Sequence, residues 1–251
     1  MEAEISGHSV LVVGASAGIG REAAAAFARA GARVMAVGRR AEKLQELADG
    51  VTLEWRDADI TKDGEPERVV SAAVESFGKL DLVVNVAAAS PMVLLSDVSA
   101  SEFTNVFASN VVAPSEICRA ALPHLSDDAI VAFVSSETVG RPRRGLVPYG
   151  SSKAALEELV NGWRVENPDR RFATIRVGAT IGTDFGRDFS GDLLGGCIED
   201  WIKGGHIAAE MMTPQSVGTK LAEILAISFL HPSVELTDFA LRPPGPLASL
   251  G

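Results

Sequence analysis

Tyr149 and Lys153 stand four positions apart in PYGSSKAALEELV, a stretch patterned as a helix. Residues i and i+4 share a helix face, so a phenol and an ammonium project into one site. A phenol can carry a proton to or from a reacting oxygen, and a neighbouring cation favours its ionised form. Near the start of the chain, SVLVVG runs into Ala15, Ser16, Ala17, Gly18, Ile19 and Gly20. With Gly14, these glycines let a phosphate approach a helix N-terminus, where free N–H groups and the dipole favour negative charge. Arg39 and Arg40 close the second apolar run. An acidic residue there would accept from the ribose 2′-hydroxyl of NAD, whereas the planar fork of arginine suits a 2′-phosphate. The charge therefore points to NADP rather than NAD.

The elements that must position these groups follow from periodicity. Short β-branched runs at 9–14, 33–37, 51–55, 80–85, 129–136, 172–177 and 234–241 read as strands. Helical patterns fill 19–31, 40–50, 65–78, 100–122, 148–166 and 214–230. Continuous apolar strands alternating with helices predict a parallel sheet covered on both faces. The expected fold is an α/β, Rossmann-type, doubly wound parallel sheet of about seven strands, with its crevice at the strand carboxyl ends. No linker or repeat interrupts residues 1–251, so one domain is expected. Residues 178–213 lack clear periodicity and read as a substrate lid, whose Phe185, Phe189, Leu193, Leu194 and Trp201 line an apolar pocket or anchor the segment.

Composition narrows the class. With 33 acidic against 23 basic residues the net charge is −10, which argues against nucleic acid as a partner. No apolar run is long enough to span a membrane, and the acidic start does not read as a signal peptide, so a cytoplasmic protein is expected. Cys118 and Cys197 and four scattered histidines offer no metal-ligand spacing, so no metal site is expected. Arg141, Arg143 and Arg144 form a local basic cluster, read first as a solvated loop or intersubunit salt bridge and second as an attractor of an anionic substrate group.

The glycine spacing, the Tyr149–Lys153 pair and Ser136 at the end of VSS together resemble the short-chain dehydrogenase/reductase family over most of the chain. That resemblance implies an oxidoreductase interconverting a carbonyl and a secondary alcohol with NADP(H). It implies Tyr149 as general acid/base, Ser136 as the group that holds the substrate oxygen, and Lys153 as the residue that binds ribose and lowers the Tyr149 pKa. Asn110, in SNVVAP, is implied as the fourth catalytic residue, supporting a water and the lysine. Asp59 and Ile60 are implied at the adenine, Asn85 and Ala87 along the cofactor, and Ile181 and Thr183 near the nicotinamide and phosphates. Family members pair through two long helices, which implies a homotetramer or homodimer. Phe103, Val106, Phe107, Leu156, Leu159 and Val160 would supply the apolar surface.

The chain departs from the family pattern where Ala88 replaces a glycine and where Gly178-Ala179 replaces Pro-Gly. A catalytically silent NADP-sensing regulator is the alternative function. Such relatives usually lose the tyrosine or the lysine, and both are present here.

Overall fold

The structure, a computed structural model, describes residues 2–186, 189 and 191–248. Residues 187, 188 and 190 of the expected lid lie outside the described residues.

The seven strands are β1 (Ser9–Val13), β2 (Arg33–Gly38), β3 (Glu54–Asp57), β4 (Leu80–Asn85), β5 (Leu125–Ser136), β6 (Arg171–Val177) and β7 (Asp238–Leu241). They form a parallel sheet in the order β3-β2-β1-β4-β5-β6-β7. The helices are α1 (Glu2–Ile5), α2 (Gly18–Arg29), α3 (Ala41–Gly50), α4 (Glu65–Phe77), α5 (Ala100–Phe107), α6 (Ala113–Ala121), α7 (Val147–Glu166), α8 (Gly191–Lys203) and α9 (Pro214–Ile227).

Successive strand residues point to opposite faces, and both faces are apolar. Val10, Val12, Val34 and Ala36 bury against α2, α3 and α9; Leu11, Val13, Met35 and Val37 bury against α4, α6 and α7. Each fully buried Val, Leu or Met side chain among them contributes ~1.5–3 kcal/mol. The alanine run of α2 has a packing reason. A Cβ on Gly218 of α9 would lie 2.6 Å from Cβ of Glu22 and 2.7 Å from the Ala23 nitrogen, so α2 and α9 approach nearly backbone to backbone.

Several expected boundaries move. The third strand lies at Glu54–Asp57 rather than 51–55, because it is an edge strand whose register is set by pairing Met35 with Glu54. The fifth strand begins earlier, at Leu125, which pairs with Leu80 before a register irregularity. The seventh is shorter. The expected helix over 100–122 is broken by a π-helical turn at Ala108–Val112. The aperiodic 178–213 segment contains α8, whose Gly191, Gly195 and Gly196 weaken its helical signal in the sequence.

The sheet order reverses direction between β1 and β4. The chain leaves β1 to build β2 and β3 on one side, then returns to β4 on the other. The loops after β1 and β4 therefore part at their carboxyl ends, and the crevice expected of such a sheet opens there.

Candidate active site

The loop after β1 is shaped by steric necessity. Gly14 has φ +99°, and a Cβ there would sit 2.5 Å from the Ala87 nitrogen. A Cβ on Gly20 would fall 2.2 Å from the Gly14 carbonyl oxygen. Gly14 and Ala15 donate backbone N–H to the Val37 carbonyl, and Val86 and Ala87 donate to that of Val13, which ties the β1, β2 and β4 exits together. The N-cap of α2 is Ala17, which provides no side-chain cap, so the first N–H groups of α2 are open to an anion. Asn85 is 4% exposed, and neither its amide oxygen nor its nitrogen has a hydrogen-bond partner. A glycine cradle, an uncapped helix and an orphaned buried amide fit a phosphate-bearing dinucleotide. Ala88 is exposed, and the close backbone approach between the loops after β1 and β4 is made by Gly14 and Ala87.

Thr183 crosses this loop, with its Cβ 3.6 Å from where a Cβ on Gly18 would stand. Ile181 is exposed and its N–H donates to the Met212 carbonyl. Arg40 bridges Ser16 (3.4 Å) and Asp184 (2.6 Å), joining the glycine loop to the segment beyond Thr183. Arg39 is exposed and has no salt bridge among the described residues; its charge reaches Asp59. Burial raises the Asp59 pKa, but hydrogen bonds from Thr61 and the charges of Arg39 and Lys62 outweigh it and hold the carboxyl low. Ile60 packs against the core beside Asp59.

Tyr149 and Lys153 lie on the inner face of α7, in line with buried Leu156 and Val160. Ser136 ends β5, and its oxygen accepts from the Thr138 N–H at 3.2 Å. The Lys153 ammonium is 5.9 Å from the centre of the Tyr149 ring and donates to the Val134 carbonyl at 2.8 Å. Phe185 covers Tyr149 edge-on at 4.9 Å, and Phe189 stacks edge-on against Phe185 at 5.5 Å.

Among the protein's own groups the net pull on the Tyr149 pKa is upward. Burial pushes it up to about 12, against a downward pull from the Ser136 hydrogen bond and the Arg143 charge. Burial likewise pushes the Lys153 ammonium down to about 8, partly opposed by the charge of Glu157. At Tyr149 desolvation therefore wins over both the hydrogen bond and the charge.

Asn110 sits in the π-helical turn and is fully buried. Its oxygen accepts from the Ala89 N–H (2.7 Å), and its nitrogen donates to the Ala89 carbonyl and to Ser152 Oγ, both at 2.9 Å. Ser152 in turn donates to the Tyr149 carbonyl at 2.7 Å. Asn110 therefore fastens the loop after β4 to α7.

The basic cluster also differs from its first reading. Arg141 and Arg144 are exposed and bond the Gly205 carbonyl (2.9 Å) and Asp200 (3.0 Å), but Arg143 is buried. Sequence reasoning did not single out Glu137. Its carboxylate holds Arg242 and lies 3.8 Å from Arg143. It also explains Gly178: a Cβ there would stand 2.4 Å from Glu137 Oε2, and the Gly178 N–H bonds the Leu241 carbonyl (2.9 Å), which a proline lacks. The one sequence signal was that glycine itself, standing where the family has proline.

The sheet order, the cradle at its switch point and the tyrosine–lysine face define a dinucleotide-binding α/β protein of the oxidoreductase kind. The family model for short chain dehydrogenases matches residues 8–190. An uncharacterized oxidoreductase of Thermotoga maritima is 34% identical over 65% of this chain and 67% of its own. An alcohol dehydrogenase from Thermococcus sibiricus, complexed with 5-hydroxy-NADP, is 26% identical, with a TM-score of 0.79 over 94% of this chain and 96% of its own. A dehydrogenase/reductase from Sinorhizobium meliloti is 25% identical, with a TM-score of 0.79 over 96% of both chains. The chain belongs to the short-chain dehydrogenase/reductase family and is an oxidoreductase of that family.

Among the described residues no helix is long and apolar enough to cross a membrane. Nor does any cluster of His, Cys, Asp and Glu among them have the makings of a metal site. Both cysteines are free and buried.

Proposed function

We propose that the protein interconverts a small carbonyl compound and a secondary alcohol with NADP(H). NADP(H), when bound, supplies or accepts the hydride. Tyr149 gives its phenol proton to the carbonyl oxygen in reduction and removes it from the alcohol in oxidation. Ser136 donates a hydrogen bond to the same oxygen and fixes its position. Lys153 turns from the Val134 carbonyl to the ribose hydroxyls, and its charge there favours the phenolate. Asn110 keeps the β4 loop and α7 in register. Arg39 takes the 2′-phosphate, with Arg40 available once it leaves Asp184.

The observation that carries this reading is the buried phenol–ammonium pair of α7 beside Ser136 and the glycine cradle. The chain acts as one nucleotide-binding domain whose segment 178–213 closes over substrate, with Phe185 as the piece already against Tyr149. It works in the cytoplasm as a homotetramer or homodimer. Of the six apolar residues expected at the subunit contact, Val106, Leu156 and Val160 are buried within the chain, which leaves Phe103, Phe107 and Leu159 half-buried for that role.

The test is a panel of ketones and alcohols with NADPH and NADH, followed by the absorbance of the reduced nicotinamide. Turnover with NADPH that disappears in Tyr149→Phe, while NADPH still binds, supports the reading. Full turnover by Tyr149→Phe removes Tyr149 as the acid/base. NADPH binding without turnover across the panel favours the sensing regulator instead.

A further inference from the structure

Arg143 lies on the loop between β5 and α7, three residues before Leu146, whose N–H it receives at 3.0 Å. Its side chain is 9% exposed, and its Nε and one terminal nitrogen are buried with no hydrogen-bond partner. Five N–H donors on a permanent charge make this an expensive group to bury unpaired. Glu137 does not satisfy it. The carboxylate is 3.8 Å away, beyond hydrogen-bond reach, and is already engaged by Arg242. Two guanidiniums thus share one carboxylate, and one positive charge is left over. Nearby, His206 Nδ1 is also buried without a partner. Burial and then the charges of Arg143 and Arg141 push the His206 pKa down.

The loop is tied down on both sides of Arg143. Arg141 bonds the Gly205 carbonyl and Arg144 pairs with Asp200, while the Trp201 indole donates to the Arg144 carbonyl at 2.9 Å. A Cβ on Gly145 would be 3.0 Å from Cys197 Sγ, which shows how closely the loop is packed on α8. The guanidinium lies near enough to the Tyr149 phenol for the two charges to act on each other, on the loop that leads from Ser136 into α7. Beside it, Met92, Leu146, Cys197 and Trp201 form an apolar cluster joined by Phe189.

We propose that Arg143 is a substrate-recognition residue that binds a carboxylate, so that the protein acts on apolar oxo acids or hydroxy acids in which the anionic group lies close to the reacting carbon. This rests on the oxidoreductase reading above. A carboxylate matches the planar guanidinium fork in two parallel hydrogen bonds and cancels the single unmatched charge. The apolar cluster of Met92, Leu146, Cys197 and Trp201 beside it favours a substrate whose remainder is apolar.

Benzoylformate, benzoylacetate and benzoylpropionate place a carboxylate at increasing distance from one ketone, and their methyl esters remove the charge. With NADPH, kcat/KM for the best acid is expected to exceed that for its ester by ~30-fold or more, from charged hydrogen bonds made at a buried site. Arg143→Met is expected to bring the ratio to near one. Glu137→Gln, which removes the competing carboxylate, is expected to raise it and gives an independent arm if Arg143→Met does not fold. Direct binding of the same three acids to the NADPH-loaded protein is measured by calorimetry, and should be lost in Arg143→Met.

Esters turned over as well as acids by the unaltered protein would overturn the arginine assignment and leave the oxidoreductase reading standing. If neither class is turned over, that reading falls, and binding decides alone. Acids that bind no better than esters refute the carboxylate site; acids that bind in an Arg143-dependent way support it.

Discussion

A fully buried lysine makes the stability of the ligand-free protein depend on pH in an unusual direction. The Lys153 ammonium falls from the ordinary 10.5 to about 8 because burial strips its water. The folded chain therefore releases this proton near pH 8, whereas the unfolded chain keeps it to about pH 10.5. Between those values the unfolded state binds more protons, so stability rises with pH. The depression corresponds to ~3 kcal/mol at about 1.36 kcal/mol per pH unit, all of it a cost at neutral pH and all of it relieved by about pH 10.5. Above about pH 10, Tyr149 works the other way. Its folded pKa of about 12 keeps the proton that an unfolded tyrosine loses, so its contribution is present below pH 10 and is lost as pH rises towards 12. Urea unfolding of the ligand-free protein at intervals from pH 7 to 10 measures this. The difference between the unaltered chain and Lys153→Met reads this group together with its charge coupling to Glu157. Lys153→Met should be the more stable at pH 7, by up to ~3 kcal/mol less ~1–3 kcal/mol for the lost charged bond to Val134, and the gap should shift in favour of the unaltered chain as pH rises. A difference that stays constant across this range would refute the burial argument. NADP(H) binding should also take up a proton above about pH 8, because anionic phosphates favour the charged lysine, and calorimetry in buffers of different ionisation heat reads that uptake.

Tyr149 is the single tyrosine of the chain, so ultraviolet difference titration reports it alone. In the ligand-free protein it should ionise above the ordinary 10, and Phe185→Ala, which uncovers the ring, should lower that midpoint; an unchanged midpoint would show that Phe185 is not the shield. Gly178→Ala should destabilise the fold by ~1–3 kcal/mol through overpacking against Glu137, with the loss smaller in a Glu137→Ala background; additive thermal shifts would dismiss the contact. Arg39→Ala should weaken NADPH binding by ~10- to 100-fold while leaving NADH nearly unchanged, and equal losses for both by calorimetry would remove its 2′-phosphate role. Asp81 accepts from the Ser9 N–H (2.8 Å) and Ser126 (2.7 Å); burial raises its pKa, but these bonds outweigh it, so its stabilisation holds above the ordinary carboxylate range and fades in acid. Asp81→Asn should flatten the acid limb of stability, and an unchanged limb would assign acid sensitivity elsewhere.

The alternation of strands and helices was legible in the residues alone, because continuous apolar runs and helical spacing are local. So was the cradle, because Gly14 and Gly20 are positions where a Cβ has no room. That Tyr149 and Lys153 share a face was legible too, since helix geometry alone dictates it. Contacts between distant segments decided the rest. The π-helical turn that delivers Asn110 to Ala89 and Ser152 has no local signature, because α-helical and π-helical spacing differ by a single residue. Strand β3 took its boundaries from its neighbour, as an edge strand must. The upward direction of the Tyr149 shift came from burial by everything packed around the ring, including Phe185, thirty-six positions further along the chain. Whether Arg143 was solvated or buried turned on α8 and Glu137, neither of which its own neighbours in sequence reveal. Desolvation is a property of everything that surrounds a group, so charge and pKa were legible as residue types but acquired their direction only in the packed tertiary structure.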